Sequence, residues 1–459
     1  MNQQEFTKAF EEMPLQRRKV LQKLLAGETD EAIAKSLQIE QTTVRSHIKK
    51  ICNDFGIEQP FANERQKRRP ELIALFKKYR PDLVSNQVNS ATVEAPDEPE
   101  KAHIPTELIS LPAGIVPLDS PFYVEREADK ICRQVLQFRR NSRESLPFIR
   151  IKGSSGMGKS SLLVRLQKLL ETELNQVVGF VDLASADFDK DAFSNLNKLL
   201  YQFTYAIAQT FSESVPNLNP SPLKNNWIED VASGVNCTTY LHDHIFSKIR
   251  QPKTLLIDGI DAVLGQEQTQ TPFLQLLRSW NERKMKQVSK APIVWSSIVI
   301  AYSTEPYPDH GQKGSTMQNV GTAIDLQEFT QDQVLALAKS YGLDWDLTEV
   351  SSLMQLIGGH PTLINQALYQ VKSEKKTLLD LQSQASFLNN PFGDYLLKKL
   401  SLLKNNENLL TCFINLLKGD KCHDAFAKFE LERSGLIKVE NSGVSVRCEL
   451  YQRYFQEHL

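Results

Sequence analysis

The sequence predicts a chain in two parts: an all-α domain at the N-terminus and a larger domain built around a parallel α/β sheet. Residues 1–84 are helical in pattern and basic, and residues 85–117 are polar and contain Pro, as flexible linkers do. Beyond this linker, helical stretches alternate with four β-branched runs, Phe148–Lys152, Val177–Leu183, Thr254–Asp258 and Ile293–Tyr302. Strands that alternate with helices are typical of a parallel sheet.

The composition is that of a globular protein whose charge is nearly balanced. The chain has 459 residues, with 54 Lys and Arg against 55 Asp and Glu, but residues 1–82 hold 16 basic and 12 acidic side chains. The longest apolar run, Val294–Tyr302, is too short to cross a bilayer, and the N-terminus lacks the apolar segment of a secretory signal. We therefore expect a cytoplasmic protein without a membrane partner.

Six cysteines are scattered along the chain, and none of them forms a C-x-x-C pair. This pattern is typical of reduced cytosolic thiols. It predicts neither disulfide bonds nor a structural metal site.

The N-terminal segment has the pattern of a helix-turn-helix. Two short helices are predicted on either side of the turn Gln38–Glu40, and their apolar residues recur at helical spacing. The residues expected in their shared core are Ile33, Ala34, Leu37, Ile39, Val44, Ile48 and Ile51.

The second of these helices presents polar and basic residues that could contact double-stranded DNA. Its N-terminal part would face base edges in the major groove, where Arg45 suits guanine, while Lys49 and Lys50 suit phosphates. The candidate DNA contacts are Thr42, Thr43, Arg45, Ser46, Lys49 and Lys50. Helix-turn-helix domains also dock proteins, so a protein effector is the alternative partner.

A phosphate-binding motif follows the predicted strand Phe148–Lys152. The segment Gly153–Ser160 matches G-x-x-x-x-G-K-[ST] in full. Its glycines let backbone N–H groups curl around a polyanion, Lys159 supplies a cation for the β and γ phosphates, and Ser160 offers a hydroxyl to Mg²⁺. The motif predicts ATP and Mg²⁺ as cofactors, bound by Gly153, Ser154, Ser155, Gly156, Met157, Gly158, Lys159, Ser160 and Ser161.

The run Thr254–Asp258 delivers Asp258 to the end of a buried strand, where it can hold the Mg²⁺ shell. Many ATPases place Glu directly after this Asp, but this chain has Gly259. Asp261 is the nearest replacement, or it caps the following helix. The expected catalytic residues are therefore Lys159, Asp258 and Asp261, with slow hydrolysis. The fourth run ends in the polar residues Ser303, Thr304 and Glu305, where a γ-phosphate sensor is expected, and Thr304 is the candidate; the alternative is an ordinary polar turn.

After residue 328 the pattern becomes helical, and it ends in a helix followed by two short strands around Asn441–Gly443, as in a winged helix. The predicted fold class is thus an α/β P-loop NTPase with a helical lid and a C-terminal winged helix, preceded by an all-α helix-turn-helix domain. The predicted boundaries are 1–84 for the helix-turn-helix domain, 85–117 for the linker, 118–328 for the ATPase core, 329–390 for the lid and 391–459 for the winged helix.

Several segments resemble the AAA-like domain family that is abundant in cyanobacteria, over about Leu118 to Phe455. The segments that carry this resemblance are Ser120–Arg126, Ile149–Lys152, Cys237–Tyr240, Leu277–Trp280, Ser303–Glu305, Gly358–Pro361 and Arg447–Tyr451. The family is similar to the STAND class of signalling ATPases, which cycle between nucleotide-closed and open forms. The resemblance implies that His360 and Pro361 belong to the lid motif beside the nucleotide, and that Tyr123 and Arg126 lie near its base or phosphates.

One feature departs from that family, which usually carries Asp-Glu where this chain has Asp258-Gly259; the Asp-Gly-x-Asp form resembles the NACHT branch of the class. The N-terminal segment is similar to the helix-turn-helix of LuxR-type regulators and to the vWA-MoxR-associated module found with cyanobacterial signalling ATPases. Together these resemblances imply an ATP/ADP switch coupled to a DNA-binding transcription regulator. The alternative is an ATP-ordered homo-oligomer of a conflict or stress system that docks a protein effector.

Overall fold

In the computed structural model the chain divides into two units, residues 1–100 and residues 101–459. Within the residues described, no helix is long and apolar enough to cross a membrane. The structure describes residues 10, 13–25, 30–37, 39–55, 72, 75, 76, 80, 114–141, 147–286, 295–305, 317, 320–385, 387, 390–440 and 443–459.

The N-terminal unit contains the predicted helix-turn-helix. Helix α1 spans Leu15–Leu25, α2 spans Asp30–Leu37 and α3 spans Gln41–Asp54, so three residues separate α2 from α3 as expected. The predicted core is confirmed: four of its residues are buried, and the other three pack against them partly buried. The buried four are Ile33, Val44, Ile48 and Ile51, and the partly buried three are Ala34, Leu37 and Ile39.

The larger unit contains a five-stranded sheet in the order β2-β3-β4-β1-β5, in which all paired strands are parallel. The strands are β1 Phe148–Lys152, β2 Val177–Asp182, β3 Lys253–Asp258, β4 Ser297–Tyr302 and β5 Thr322–Asp325. Four of them match the predicted runs; β5 was missed because its four residues carry only one buried side chain, which leaves no apolar run to detect.

Helices cover both faces of the sheet because successive strand residues point to opposite sides. Ile149 and Ile151 of β1 pack with α4 and α5, whereas Phe148 lies in the cluster formed with α6, α8 and α9. These helices are α4 Glu127–Asn141, α5 Lys159–Thr172, α6 Leu196–Ser214, α7 Leu223–Asn226, α8 Ser233–Tyr240, followed by a π-helical turn Leu241–Phe246, and α9 Gln270–Lys286; 3₁₀ turns span Lys190–Ser194 and Ile260–Ala262.

The C-terminal part is helical apart from one hairpin. Its elements are α10 Gln331–Ser340, α11 Leu347–Ile357, α12 Pro361–Ser373, α13 Leu378–Ser383, α14 Gly393–Lys404, α15 Glu407–Leu417, α16 Ala425–Arg433, β6 Ile437–Glu440, β7 Gly443–Val446 and α17 Glu449–His458. The predicted hairpin is confirmed, with Ile437 opposite Val446. One apolar cluster runs from Phe329 to Phe455, so the lid boundary at 390 and the winged-helix assignment stay predictions.

The prediction that all cysteines are reduced is wrong for one pair. Cys412 of α15 and Cys422 form a disulfide bond, with their Cα atoms 5.1 Å apart. The chain turns back on α15 after Leu417, and this fold brings together two thiols that are ten residues apart in the sequence. Cys132, Cys237 and Cys448 are free thiols, and all three are buried, as is Cys52.

Candidate nucleotide-binding site

The glycine-rich loop joins β1 to α5 at the carboxyl edge of the sheet. Gly156 and Gly158 have φ angles of 79° and 85°, a left-handed conformation that favours glycine. A Cβ atom on Gly156 would lie 2.7 Å from Thr362 Oγ1 and 2.8 Å from His360 Cε1. The loop therefore depends on glycine both for its turn and for the close approach of α12.

Lys159 begins α5 and lies across the loop. Its Nζ donates hydrogen bonds to the carbonyl oxygens of Gly153 and Ser154, at 2.8 and 3.1 Å. Burial lowers the pKa of Lys159, and nearby Asp261 and Glu305 oppose this shift. The ammonium group is thus held beside the loop by carbonyls that a bound phosphate could replace as its partner.

Ser160 and Asp258 form the oxygen pair that the sequence assigns to Mg²⁺. The Ser160 hydroxyl hydrogen-bonds the Asp258 carboxylate, and the Gly259 N–H donates to Asp258 Oδ1 at 2.9 Å. Burial raises the pKa of Asp258, and these two hydrogen bonds oppose that effect. Mg²⁺ commonly takes one or two carboxylates plus phosphate oxygens and water, so this pair fits the ion. Among the described residues, no three His, Cys, Asp or Glu side chains are grouped as a metal site.

Asp261 lies within the 3₁₀ turn Ile260–Ala262 that follows β3. Its Oδ1 accepts a hydrogen bond of 2.6 Å from the Ser303 N–H at the end of β4. The alternative interpretation, that Asp261 caps the following helix, does not hold, because α9 begins only at Gln270. The carboxylate is instead fixed between the ends of two adjacent strands, on the side of Lys159.

Two residues of the predicted lid bond directly to the loop. His360 Nε2 lies 3.0 Å from the carbonyl oxygen of Ser155, and the Thr362 hydroxyl donates to that of Gly156 at 2.8 Å. Burial lowers the pKa of His360 to about 4, so the ring is neutral and its Nε2–H is the donor to Ser155. Pro361 follows as the first residue of α12, a position that needs no N–H.

The end of β4 connects the loop to the C-terminal module, residues 391–459. The Thr304 hydroxyl donates to the Arg433 carbonyl at 2.7 Å, and the Thr304 N–H lies 3.4 Å from the Gly153 carbonyl. Glu305 Oε1 accepts from the Ser155 N–H at 3.3 Å and from Lys399 Nζ at 2.5 Å. Beside these residues a cleft of about 710 Å³ is lined by Ser154, Thr304, His360, Arg433 and Arg447 among others.

The family resemblance assigns both Tyr123 and Arg126 to the nucleotide, but only Arg126 lies at the phosphate loop. The Tyr123 hydroxyl donates to Asp129, and the Arg165 guanidinium lies 3.4 Å from the centre of its ring. Arg126 is buried and donates to the Gln327 carbonyl at 3.1 Å. A Cβ on Gly158 would lie 3.2 Å from the guanidinium of Arg126, so this residue is at the loop, whereas the Tyr123 hydroxyl points to α4.

Sequence reasoning missed two residues of the site, Thr362 and Lys399, and it noted Glu305 only as the last of the polar residues Ser303–Glu305 where a γ-phosphate sensor is expected. For Lys399 a signal was present: it lies on α14 between Leu396 and Leu403 at the spacing of buried positions, where a lysine is unusual. In the N-terminal unit, Ser46, Lys49 and Lys50 of α3 are exposed and Thr43 is half-buried. The side chains of Thr42 and Arg45 lie outside the described part.

The parallel sheet, the glycine loop between β1 and α5, and the aspartate that ends β3 together define a P-loop ATPase-like domain. Residues 111–457 match the family model of the AAA-like domain, more than half of the chain. The protein therefore belongs to the AAA-like domain family, as predicted. Residues 16–59 match the bacterial regulatory proteins of the luxR family, which confirms a LuxR-type helix-turn-helix at the N-terminus.

Among solved structures, the chain is similar to the Walker-type ATPase PABY2304 of Pyrococcus abyssi, at 12% identity and a TM-score of 0.48 over 73% of this chain and 96% of that one. It is also similar to the ORC2 protein of Aeropyrum pernix, at 13% identity and 0.42 over 71% and 89%. A third is Cdc6p from Pyrobaculum aerophilum, at 15% and 0.37 over 75% and 97%. No curated protein matches the chain.

Proposed function

We propose that the protein is an ATP-binding regulatory switch of the STAND kind that couples its nucleotide state to a DNA-binding N-terminal module. The observation that carries the proposal is the bonding of the lid to the phosphate loop itself. His360 and Thr362 bond to the carbonyls of Ser155 and Gly156, whose peptide groups must also present their N–H groups to a phosphate. A change in the conformation of the loop when nucleotide binds would therefore displace His360 and Thr362, and with them α12.

Mg-ATP fits the residues at the loop. Backbone N–H groups and Lys159 would hold the phosphates, while Ser160 and Asp258 would hold Mg²⁺ with water. When bound, the ion would offset the phosphate charge and polarise the terminal group. In this proposal Asp261, fixed by the Ser303 N–H, orients the attacking water.

Hydrolysis is expected to be slow because the residue directly after Asp258 is Gly259 and carries no carboxylate. Gly259 has a φ angle of 66°, and a Cβ there would lie 2.5 Å from Asp182 Oδ1 and 2.6 Å from the Ala184 nitrogen. The backbone at this position thus excludes the glutamate that many ATPases use. A slow rate suits a switch, because the bound state then persists.

In the switch, double-stranded DNA is the ligand of the N-terminal module. Lys49 and Lys50 are exposed on α3, the second helix of a LuxR-type helix-turn-helix, and residues 1–82 hold more basic than acidic side chains. Exposed lysines on this helix suit phosphate contacts.

The nucleotide part is tested by titrating the full chain with ATP and Mg²⁺ in a calorimeter. Lys159→Ala should weaken binding at least tenfold, since it removes the cation that contacts the β and γ phosphates. Lys168→Ala is the matched control, because Lys168 is exposed on the same helix. Equal affinity in the two variants would refute the loop assignment.

The DNA part is tested with the full chain and random duplexes at several salt concentrations. Each of Lys49→Ala and Lys50→Ala should reduce the slope of log K against log salt by about one. Lys19→Ala, on the exposed side of α1, should leave the slope unchanged. Binding to no duplex at any salt concentration would favour the protein-docking alternative.

A further inference from the structure

The phosphate loop is in contact with a carboxylate of the protein itself. Glu305 follows β4, and its Oε1 accepts a hydrogen bond of 3.3 Å from the Ser155 N–H. Ser155 lies inside the glycine-rich motif, whose N–H groups are the donors expected to meet phosphate oxygens. A negatively charged oxygen thus already occupies a position of the kind that the loop offers to an anion.

The charges around Glu305 are those of a phosphate site. Lys399 Nζ lies 2.5 Å from the same Oε1, and its side chain is only 2% exposed. Lys159, the lysine of the motif, is close enough to influence both groups. Burial raises the pKa of Glu305, but Lys399 and the Ser155 N–H outweigh it and hold the pKa below its usual value. The carboxylate is therefore charged, between two lysines and a loop N–H.

We propose that Glu305 occupies the terminal-phosphate position of the loop and thereby makes the site distinguish nucleoside triphosphates from diphosphates. This inference rests on the proposed nucleotide site. Lys159 serves the β and γ phosphates, so the anion that it shares with Ser155 and Lys399 lies at the terminal end. Two anions cannot share this position, because like charges at contact distance repel strongly. Glu305 must withdraw for a triphosphate, but it can stay for a diphosphate.

The withdrawal would reach the C-terminal module through Lys399. This lysine also donates to the Ser434 carbonyl at 2.6 Å, at the end of α16, and Thr304 next to Glu305 bonds to Arg433. Movement of Glu305 therefore leaves a buried ammonium group that needs a new anion, which the terminal phosphate supplies. Glu305 and Lys399 together would report the third phosphate to the helical part of the protein.

The test measures the affinity of the full chain for AMP-PNP and for ADP, both with Mg²⁺, by calorimetry. Glu305→Gln removes the charge that competes with the phosphate, and it removes the carboxylate with which Lys399 forms an ion pair. It should tighten AMP-PNP binding about tenfold or more, as expected from removal of a like charge, and change ADP binding less than twofold. Its melting temperature without nucleotide should fall, and AMP-PNP should restore it more than ADP does.

Glu305→Asp is a milder variant, because it keeps the charge but is too short to reach both Ser155 and Lys399. It should shift the ratio of the affinities for AMP-PNP and ADP in the same direction by a smaller factor. If Glu305→Gln does not fold, Glu305→Asp still tests the inference. Glu328→Gln is the matched control: it breaks another ion pair to the C-terminal module, with Arg447 at 2.7 Å, and the backbone donor to its carboxylate is the Gly359 N–H instead of an N–H of the loop. It should leave the ratio unchanged.

The inference is overturned if the Glu305 variants change both affinities equally or leave the ratio as it is. It is also overturned if Glu328→Gln shifts the ratio as much as they do. A folded wild-type chain that binds neither nucleotide would instead refute the proposed function, so the two failures are distinguishable.

Discussion

Gly156→Ala is the most direct perturbation of the contact between loop and lid. The new Cβ would meet Thr362 Oγ1 at 2.7 Å and His360 Cε1 at 2.8 Å, so α12 must move away from the loop. That movement breaks the bonds of His360 and Thr362 to the loop, each contributing about 1 kcal/mol. The φ angle of 79° adds a separate cost of about 1 kcal/mol for any side chain. We expect a loss of about 3 kcal/mol in the free energy of unfolding, and weaker nucleotide binding.

Gly419→Ala is the control that separates the displacement of α12 from the strain of a positive φ angle. Gly419 has a φ angle of 86°, and nothing lies within 4 Å of a Cβ built there. Its substitution should cost only the strain of about 1 kcal/mol. Urea unfolding of both variants gives the difference, which we expect to be about 2 kcal/mol. If both variants lose the same free energy of unfolding, α12 does not contact the loop closely, and the proposed coupling of the loop to the lid is refuted.

Three further predictions concern single residues. If the Asp261 carboxylate orients water, Asp261→Asn should slow phosphate release from ATP by about a hundredfold and alter ADP affinity less than twofold. An unchanged rate in a phosphate-release assay would show that the role of Asp261 is purely structural. Gly259→Glu should not speed hydrolysis but should lower the free energy of unfolding by about 3 kcal/mol, because its Cβ would lie 2.5 Å from Asp182 Oδ1; a stable, faster enzyme in the same assays would contradict this. The pKa of His360 is about 4 in the folded chain and about 6.5 in the unfolded chain, so the unfolded chain binds more protons between these pH values. The stability that neutral His360 contributes is therefore fully present above pH 6.5. As the pH falls to 4, the free energy of unfolding should drop by about 3 kcal/mol. Urea unfolding against pH should show this loss in the wild type and not in His360→Gln.

Much of the fold follows from local patterns. The β-branched runs predicted β1 to β4 because each of those strands carries several buried apolar side chains, and helical spacing of apolar residues predicted the core shared by α2 and α3. β5 escaped because only Ile324 of its four residues is buried. The Cys412–Cys422 bond escaped because pairing depends on how the chain turns after α15, which cysteine spacing does not encode.

The sequence by itself determined the phosphate loop, since Gly153 to Ser160 are contiguous and each residue type has its own chemical task. Only the tertiary structure decided what the loop touches. Thr362 and Gly156 are 206 residues apart, and Lys399 and Glu305 are 94 apart, yet each pair is in hydrogen-bond contact. Such contacts arise from the packing of whole helices against the sheet edge, and no periodicity or motif in a single chain records them.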